Sequence, residues 1–285
     1  MPSTYTHYRF GNTVLDALPD DLRDIVKEYR GLYDIGTHGP DIFFYHQPFH
    51  NDNINVVGHR MHKETAAKFF NKVKANFVKE DKYQNAMLAY LLGFCSHYCL
   101  DLSDHSYIEA KIQKSKVSHT LIEVEYDRYL LVKDGIDPFK KDMAEHLHAT
   151  KENAIVIQKC FDEFKVEEVK SSIKQMIFYV RKLNMKDGFM RNNIFKVMKK
   201  MGIYDSFHEQ FIGLKPSNKC MDSNLRLDKL EKEAYALFKE LALNLKAFLY
   251  NEEELDKRFE HTFSYQDGFE NIPVLNFEEE KKYEI

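Results

Sequence analysis

The sequence predicts an all-α fold organised as a single multi-helix domain, and three observations carry that expectation. Glycine and proline are scarce, 11 and 7 among 285 residues, so long stretches lack the residues that most often interrupt helices. Apolar positions recur at three- and four-residue spacing through most of the chain. Ligand-type side chains repeat at the same spacing, in His97-x3-Asp101-x3-His105 and again in His119-x3-Glu123.

From the N-terminus, Asn12 to Tyr33 reads as mainly helical, with Leu15, Leu18, Leu22 and Val26 apolar and Pro19 kinking the helix or opening a fresh one. Arg30 to Asn55 reads as loop-rich, holding Gly31, Gly36, Gly39, Pro40 and Pro48. Helices are expected over Gly58–Lys79, Lys82–Leu100, Ser118–Lys133 and Met143–Phe161, with Gly135, Asp137 and Pro138 marking the break before the last. Val166–Met185 and Arg191–Met201 follow, then a turn over Gly213–Asn218 and a long amphipathic helix, Asp222–Leu249. The polar, acidic tail from Asn271 is expected either to pack in extended form or to fray. Without an internal repeat or a clear linker, this amounts to about nine helices in one domain. Residues 1–285 then divide into a ligand-bearing part over 5–130, a helical wall over 140–250 and the tail over 271–285.

Hydrophobic content of 44% against 30% charged belongs to a globular chain. A formal charge of -4 gives no general attraction for duplex nucleic acid. No apolar run approaches the roughly 20 residues of a transmembrane segment; the strongest, Met87–Cys95, has polar neighbours. Met1 to His7 lacks a basic stretch followed by an apolar one, so a cytoplasmic location is expected. Cys95, Cys99, Cys160 and Cys220 suggest no disulfide framework. Cys95 and Cys99 stand two residues either side of His97, on a different face, and are expected as small buried thiols.

Residues four apart on a helix share a face, with Cβ atoms about 5–6 Å apart, so His97/Asp101 and His119/Glu123 can each grip a cation. At about 1.5 Å rise per residue, His97 and His105 stand about 12 Å apart along the axis, too far for one ion. Asp101 then serves one metal beside His97, while His105 feeds a second completed by His119 and Glu123. A solvated helical face would be rich in Lys and Glu. Here the first ligands sit among Leu91, Leu92, Phe94, Tyr98 and Leu100, where polar groups must be paired or ligated. Imidazole and carboxylate donors without thiolates suit zinc, with manganese or iron as alternatives. Two such metals bridged by a carboxylate would activate water and clamp a phosphoryl oxygen. Further ligands are sought in the turn Gly36–Asp41, where Asp41 is a candidate, and in Gly58–Glu64, which offers His59 and His62. Every histidine but His208 and His261 lies before residue 150, which places the site on the earlier helices. His146 and His148 read as surface residues.

On these residues the chain resembles the zinc-dependent phospholipase C family, all-α hydrolases of phosphoric esters built around a zinc cluster. The matching residues are His7 in Tyr5-Thr6-His7-Tyr8, Asp41 in Gly39-Pro40-Asp41, His62 in Met61-His62-Lys63-Glu64, then His97/Asp101/His105 and His119/Glu123. The Met-His-x-Glu match favours His62 over His59. The resemblance implies one zinc held by Asp41, His62, His97 and a bridging Asp101, a second by His105, His119 and Glu123, and a third by His7 and Asp101. Asp41 would also orient or deprotonate the attacking water. Secreted relatives complete the third site with an N-terminal tryptophan. This chain has no Trp, and Pro2, exposed by removal of Met1, is the candidate in its place. Ile42 follows Asp41 where a choline cage would want an aromatic, and the lipid-binding β-sandwich of larger toxins is absent.

Residues 170–200 carry nine Lys/Arg against one acid, Asp187, interleaved with Met176, Phe178, Met185, Phe189 and Phe195. That composition is either a solvated basic helix face or an electropositive wall for a phosphate-bearing substrate or an anionic lipid surface. Phe43-Phe44-Tyr45 either lines the pocket or packs in the core. No apolar docking surface stands above the background of amphipathic helices, so small soluble phosphate esters are expected to be better substrates than packed bilayers. The leading expectation is a zinc-dependent phosphoric-ester hydrolase, with metal-activated water attacking phosphorus in a small phosphate ester or a phospholipid. The alternatives are a nuclease or nucleotide phosphodiesterase on the same metal fold, and a non-catalytic metal-binding protein.

Overall fold

The computed structural model describes residues 4–50, 52–79, 81–185 and 188–285. Pro2 and Asp187, singled out above, lie outside the described residues. Among those residues the fold is all-α, with no strand. In chain order the helices are α1 (Thr4–Thr13), α2 (Asp20–Glu28), α3 (Arg30–Gly36), α4 (Asn55–Met61), α5 (Ala66–Phe77) and α6 (Gln84–Ser115). They continue as α7 (His119–Lys133), α8 (Lys151–Cys160), α9 (Val166–Leu183), α10 (Gly188–Lys200), α11 (Tyr204–Phe207), α12 (Met221–Leu249) and α13 (Phe277–Glu280).

The molecule is arranged around α6. Every residue from Ala86 to Asp101 is buried, because a run that is apolar on all sides has to be surrounded. α3 and α12 both pack along it. The contact with α3 is backbone to backbone: a Cβ at Gly36 would strike the Tyr90 carbonyl oxygen, and one at Gly93 would strike that of Tyr33. α1 is tied to α7 by Asp127, which accepts the backbone N–H groups of Tyr5 at 3.2 Å and Thr6 at 2.8 Å, and the Thr6 hydroxyl at 2.6 Å. The side chain of Asp127 thereby satisfies donors at the start of α1 that no preceding turn can reach.

Several expectations need correcting. The stretch read as loop-rich holds α3 and a 3-10 segment, Gly39–Phe43, because its glycines serve close packing rather than chain reversal. The helix expected over Gly58–Lys79 is two helices, and the one expected to end at Leu100 runs on to Ser115, where Lys116 adopts φ 59°. Pro19 does open a fresh helix, α2. Residues 143–150 are irregular, since Thr150 caps α8 by accepting the Asn153 N–H at 3.1 Å. His146 in that segment is buried, not at the surface; His148 is exposed. Of the two expectations for the tail, packing is the one met, though it includes a short helix rather than extended chain alone: Asn276 caps α13, and Glu280 is buried against Arg226 of α12. Among the described residues the α-helices number thirteen rather than about nine, with α11 and α13 four residues long and α3 and α4 seven each.

The expectation of no exposed apolar docking surface is also overturned. Phe178 on α9 and Phe189, Met190, Val197 and Met201 on or beside α10 are large apolar side chains exposed to solvent, Phe189 at 80%. Phe43, Phe44 and Tyr45, by contrast, are buried.

Candidate metal centre

Five segments deliver the ligand-type side chains to one place. α6 contributes His97, Asp101 and His105 from successive turns. α1 brings His7, the 3-10 segment brings Asp41, the end of α4 brings His62, and the first turns of α7 bring His119 and Glu123. Local sequence explains each approach. Ser118 caps α7 by accepting the Leu121 N–H at 3.0 Å. Gly39 has φ +49°, and any Cβ there would enter the His97 ring, so only glycine lets the Asp41 turn close onto α6.

The separations link every residue of the predicted set. His97 Nε2 is 3.1 Å from Asp101 Oδ2 and 4.0 Å from Asp41 Oδ1. His62 Nε2 is 3.1 Å from Asp41 Oδ1 and 3.8 Å from Asp101 Oδ2. The other Asp101 oxygen, Oδ1, is 3.4 Å from His7 Nε2 and 3.9 Å from His105 Nε2. Glu123 Oε1 lies 3.6 Å from His105 Nε2 and 2.9 Å from His119 Nε2. Three groups result, His7/His97/Asp101, Asp41/His62/His97 and His105/His119/Glu123, the first two sharing His97, each with its donor atoms within 4.8 Å of one another. His59 belongs to none of them; it is exposed, with its ring against Phe44 at 4.5 Å.

The burial is deep and the pairing incomplete. His97 Nε2, Asp41 Oδ1 and Asp101 Oδ2 are buried without a hydrogen bond, although they face one another. A buried polar atom left in that state costs about 1–3 kcal/mol, a cost that ligation removes. Zinc binds imidazole and carboxylate donors at about 2.0–2.2 Å, and donors around one such ion stand at separations like these. The residues therefore fit the metal. Two imidazoles are also aimed by their other nitrogen: His62 Nδ1 bonds the Gly58 carbonyl at 2.8 Å, and His105 Nδ1 bonds that of Phe263. This leaves both Nε2 atoms turned to the centre, the usual arrangement around a metal-ligating histidine.

Electrostatics sort the groups. Burial alone would raise the Asp41 and Asp101 carboxyls, but neighbouring imidazoles, chiefly His62 and His97 for Asp41 and His97 and His105 for Asp101, hold both well below the ordinary range. Burial opposes a charge on His105, yet Asp101, Glu123 and the Phe263 carbonyl push it up to about 10. His7 goes the other way: burial, with His97 beside it, lowers it to about 4. Asp127 is raised by burial to about 7 despite the hydrogen bonds it accepts.

A family model described as zinc dependent phospholipase C matches residues 6–184 of this chain. The chain belongs to the zinc dependent phospholipase C family. His7 through Glu123 all fall within the matched segment, so the resemblance read from the motifs holds. Neither a curated protein nor a solved structure matches the chain. Membership in the zinc dependent phospholipase C family implies a zinc-dependent, phospholipase C-like hydrolase whose substrate is a lipid or another phosphoester. No helix among the described residues is long and apolar enough to cross a membrane.

Sequence reasoning missed four contributors. Asp127 was legible, since Glu123-x3-Asp127 repeats the ligand spacing on α7. Asp104 is buried beside His105, and burial raises its carboxyl well above the usual range. His38 and His146 form a buried pair with Nε2 atoms 2.7 Å apart, and Tyr8 stacks on His146 at 3.8 Å between ring centroids. Burial lowers both, His146 to about 3, so the pair is neutral and one ring donates to the other. The Phe263 carbonyl is a backbone group in a loop tied to α5 by the Ala66 N–H, which donates to the His261 carbonyl at 3.0 Å. No side-chain pattern announces such an acceptor.

Proposed function

We propose that this chain hydrolyses phosphoric esters, with water attacking phosphorus at a zinc cluster held by Asp41, His62, His97 and Asp101, by His105, His119 and Glu123, and by His7 with Asp101. The observation that carries the reading is the set of facing, buried, unpaired atoms on His97, Asp41 and Asp101. Zinc bound there would polarise a phosphoryl oxygen and lower the pKa of a water molecule. The rest falls to the protein's own groups. Asp41, kept ionised by His62 and His97, accepts a hydrogen bond from the attacking water and sets its direction. Asp101 directs its oxygens to different groups and thereby fixes their spacing. The Gly58 and Phe263 carbonyls hold the His62 and His105 rings in orientation. We read residues 1–285 as one domain and the cytoplasm as its place of action, which fractionation of the producing cells tests.

Elemental analysis of the purified protein, together with a chromogenic phosphodiester assay before and after chelation, tests the proposal. At least about two zinc ions per chain and chelator-sensitive hydrolysis are expected. Less than about one metal per chain, not restored by added zinc, sinks it. Full metal loading with no hydrolysis of any phosphoester would shift the assignment to a non-catalytic metal protein.

A further inference from the structure

A chain of cavities runs from the junction of α1 and α7 to the exposed apolar face of α10, and no proposed metal ligand lines it. Its inner end is lined by Thr4, Tyr45 and Asp127. Thr4 is three residues before His7 on α1, and Tyr45 is four residues beyond Asp41 along the chain. Tyr45, Leu183 and Gln210 also line the next cavity, of about 190 Å³. Phe49, Ile194, Met198 and Ile203 are shared in turn by that cavity and an outer one of about 510 Å³. The walls become more apolar outward, ending on Phe189, Met190, Val197 and Met201.

α10 places these side chains and its charges on adjoining strips. Met190, Ile194, Val197 and Met201 recur at three- and four-residue spacing, which makes one stripe. Phe195 and Arg191 turn the other way, against Phe211, with ring centroids 5.1 Å apart for the pair of phenylalanines. Lys196 and Lys200 flank the stripe on one side, Lys182 lines the groove behind it, and Lys199 turns the other way, its Nζ 4.5 Å from the Tyr204 ring centroid. All four lysines are exposed, and among the described residues no carboxylate pairs with them. A contiguous exposed apolar patch with a charged rim marks an interaction surface. Among the described residues the charged side chains beside the patch are cationic, and the patch is largely aliphatic. A protein core would complement the second feature and single-stranded nucleic acid the first; an anionic lipid surface complements both. This helix lies outside the residues that match the zinc dependent phospholipase C family.

We propose that the outer face of α10, together with Phe178 and Phe49, seats the protein on an anionic phospholipid surface, with the groove behind it open to an acyl chain. The proposal rests on the phosphoester-hydrolase reading for its purpose, and what it adds is the face by which the chain meets a lipid surface and the charge of that surface.

Co-sedimentation of the zinc-loaded full chain with vesicles tests it, comparing phosphatidylcholine alone with phosphatidylcholine containing phosphatidylserine. Binding at least about tenfold tighter to the anionic vesicles is expected, weakening as salt is raised. Val197→Asp combined with Met201→Asp should lower vesicle binding at least about tenfold. Lys196→Glu and Lys200→Glu together should remove the preference for anionic lipid, a loss of at least about tenfold. Both variants should hydrolyse a soluble phosphodiester at the unsubstituted rate, which also shows that they fold. Failure of the unsubstituted protein to bind anionic vesicles, or equal binding by both variants, overturns the proposal. So does self-association, or binding of a single-stranded oligonucleotide, that the same substitutions abolish while vesicles go unbound. Hydrolysis of soluble esters without vesicle binding would remove the docking face and leave the catalytic reading. Vesicle binding with no hydrolysis of any ester would do the reverse.

Discussion

Two clusters of buried charge sit in this molecule, and they are finished differently. On α12, Arg226 donates from Nε and Nη2 to the two carboxylate oxygens of Glu280, both at 2.8 Å, and Lys229 adds a further bond at 2.8 Å to Oε1. The Arg226 guanidinium also packs between Tyr107 and Tyr283, 4.9 and 4.3 Å from their ring centroids. Around Asp101, by contrast, acids and imidazoles face one another with buried atoms that make no hydrogen bond. The first cluster saturates itself and so contributes to holding α13 and the tail in place. The second is complete only with something added. Burial of charge is common to both; the difference in pairing is what separates a structural ion pair from a binding centre.

The sharpest test of that difference is Asp101→Asn, which removes the carboxylate that we propose the metal sites share, its oxygens facing His97 and His62 on one side and His7 and His105 on the other. Metal content should fall and phosphodiester turnover should drop on the order of 100- to 1,000-fold. Glu123→Gln, serving one group only, should lose less of both when the two variants are compared by elemental analysis and rate. Full metal stoichiometry and activity in Asp101→Asn would refute the sharing. On the other side of the comparison, Glu280→Gln leaves a buried guanidinium without its counter-charge. A loss of about 3–5 kcal/mol in denaturant unfolding is expected, with zinc content unchanged. If zinc content fell with stability, the two clusters would not be independent.

Chelation acts on the metal centre alone. Zinc that binds only the folded chain should raise stability by about 2.7 kcal/mol at a free concentration 100 times its dissociation constant. A Tm lowered by chelator and restored by zinc, in the parent and in Glu280→Gln alike, is the expected result; an unchanged Tm would contradict the ligand assignment. The smallest effect concerns the neutral pair His38 and His146. The ordinary histidine value is about 6.5, and burial lowers His146 in the folded protein to about 3. Below about pH 6.5 the unfolded chain therefore binds a proton that the folded chain does not, and stability is lost by up to about 1.4 kcal/mol per pH unit until the folded value is reached. His146→Gln should flatten that slope in metal-free protein between about pH 7.5 and about pH 5. An identical slope would show that the unfolding proton goes elsewhere.

What could be read from the sequence was what is local. The comb on α6 and the pair on α7 are fixed by a four-residue repeat, and Ser118 and Pro19 mark helix starts through their own chemistry. The apolar run from Met87 announces a buried helix for the same reason. What escaped was decided across the chain. Asp127 reaches α1 over more than a hundred residues, and Phe263 meets His105 through a carbonyl that any residue would possess. His146 lies in irregular chain, where no periodicity tells inside from outside. The α10 surface escaped because amphipathicity read from sequence does not say whether the apolar stripe finds a neighbour, and here it does not cover itself.

The glycine contact between α3 and α6 has a consequence for how the centre tolerates change. Gly36 and Gly93 carry no chemistry, yet they set how far the Asp41 turn can stand from His97, because the two main chains rest directly on each other. The gap between donors is thus gauged by hard-sphere contact rather than by the attraction of the donors for an ion. A methyl group at either glycine would act as a shim, moving a whole ligand-bearing segment as a rigid piece. Its mark would be altered discrimination between metals of different radius, in a protein whose ligands were all still present.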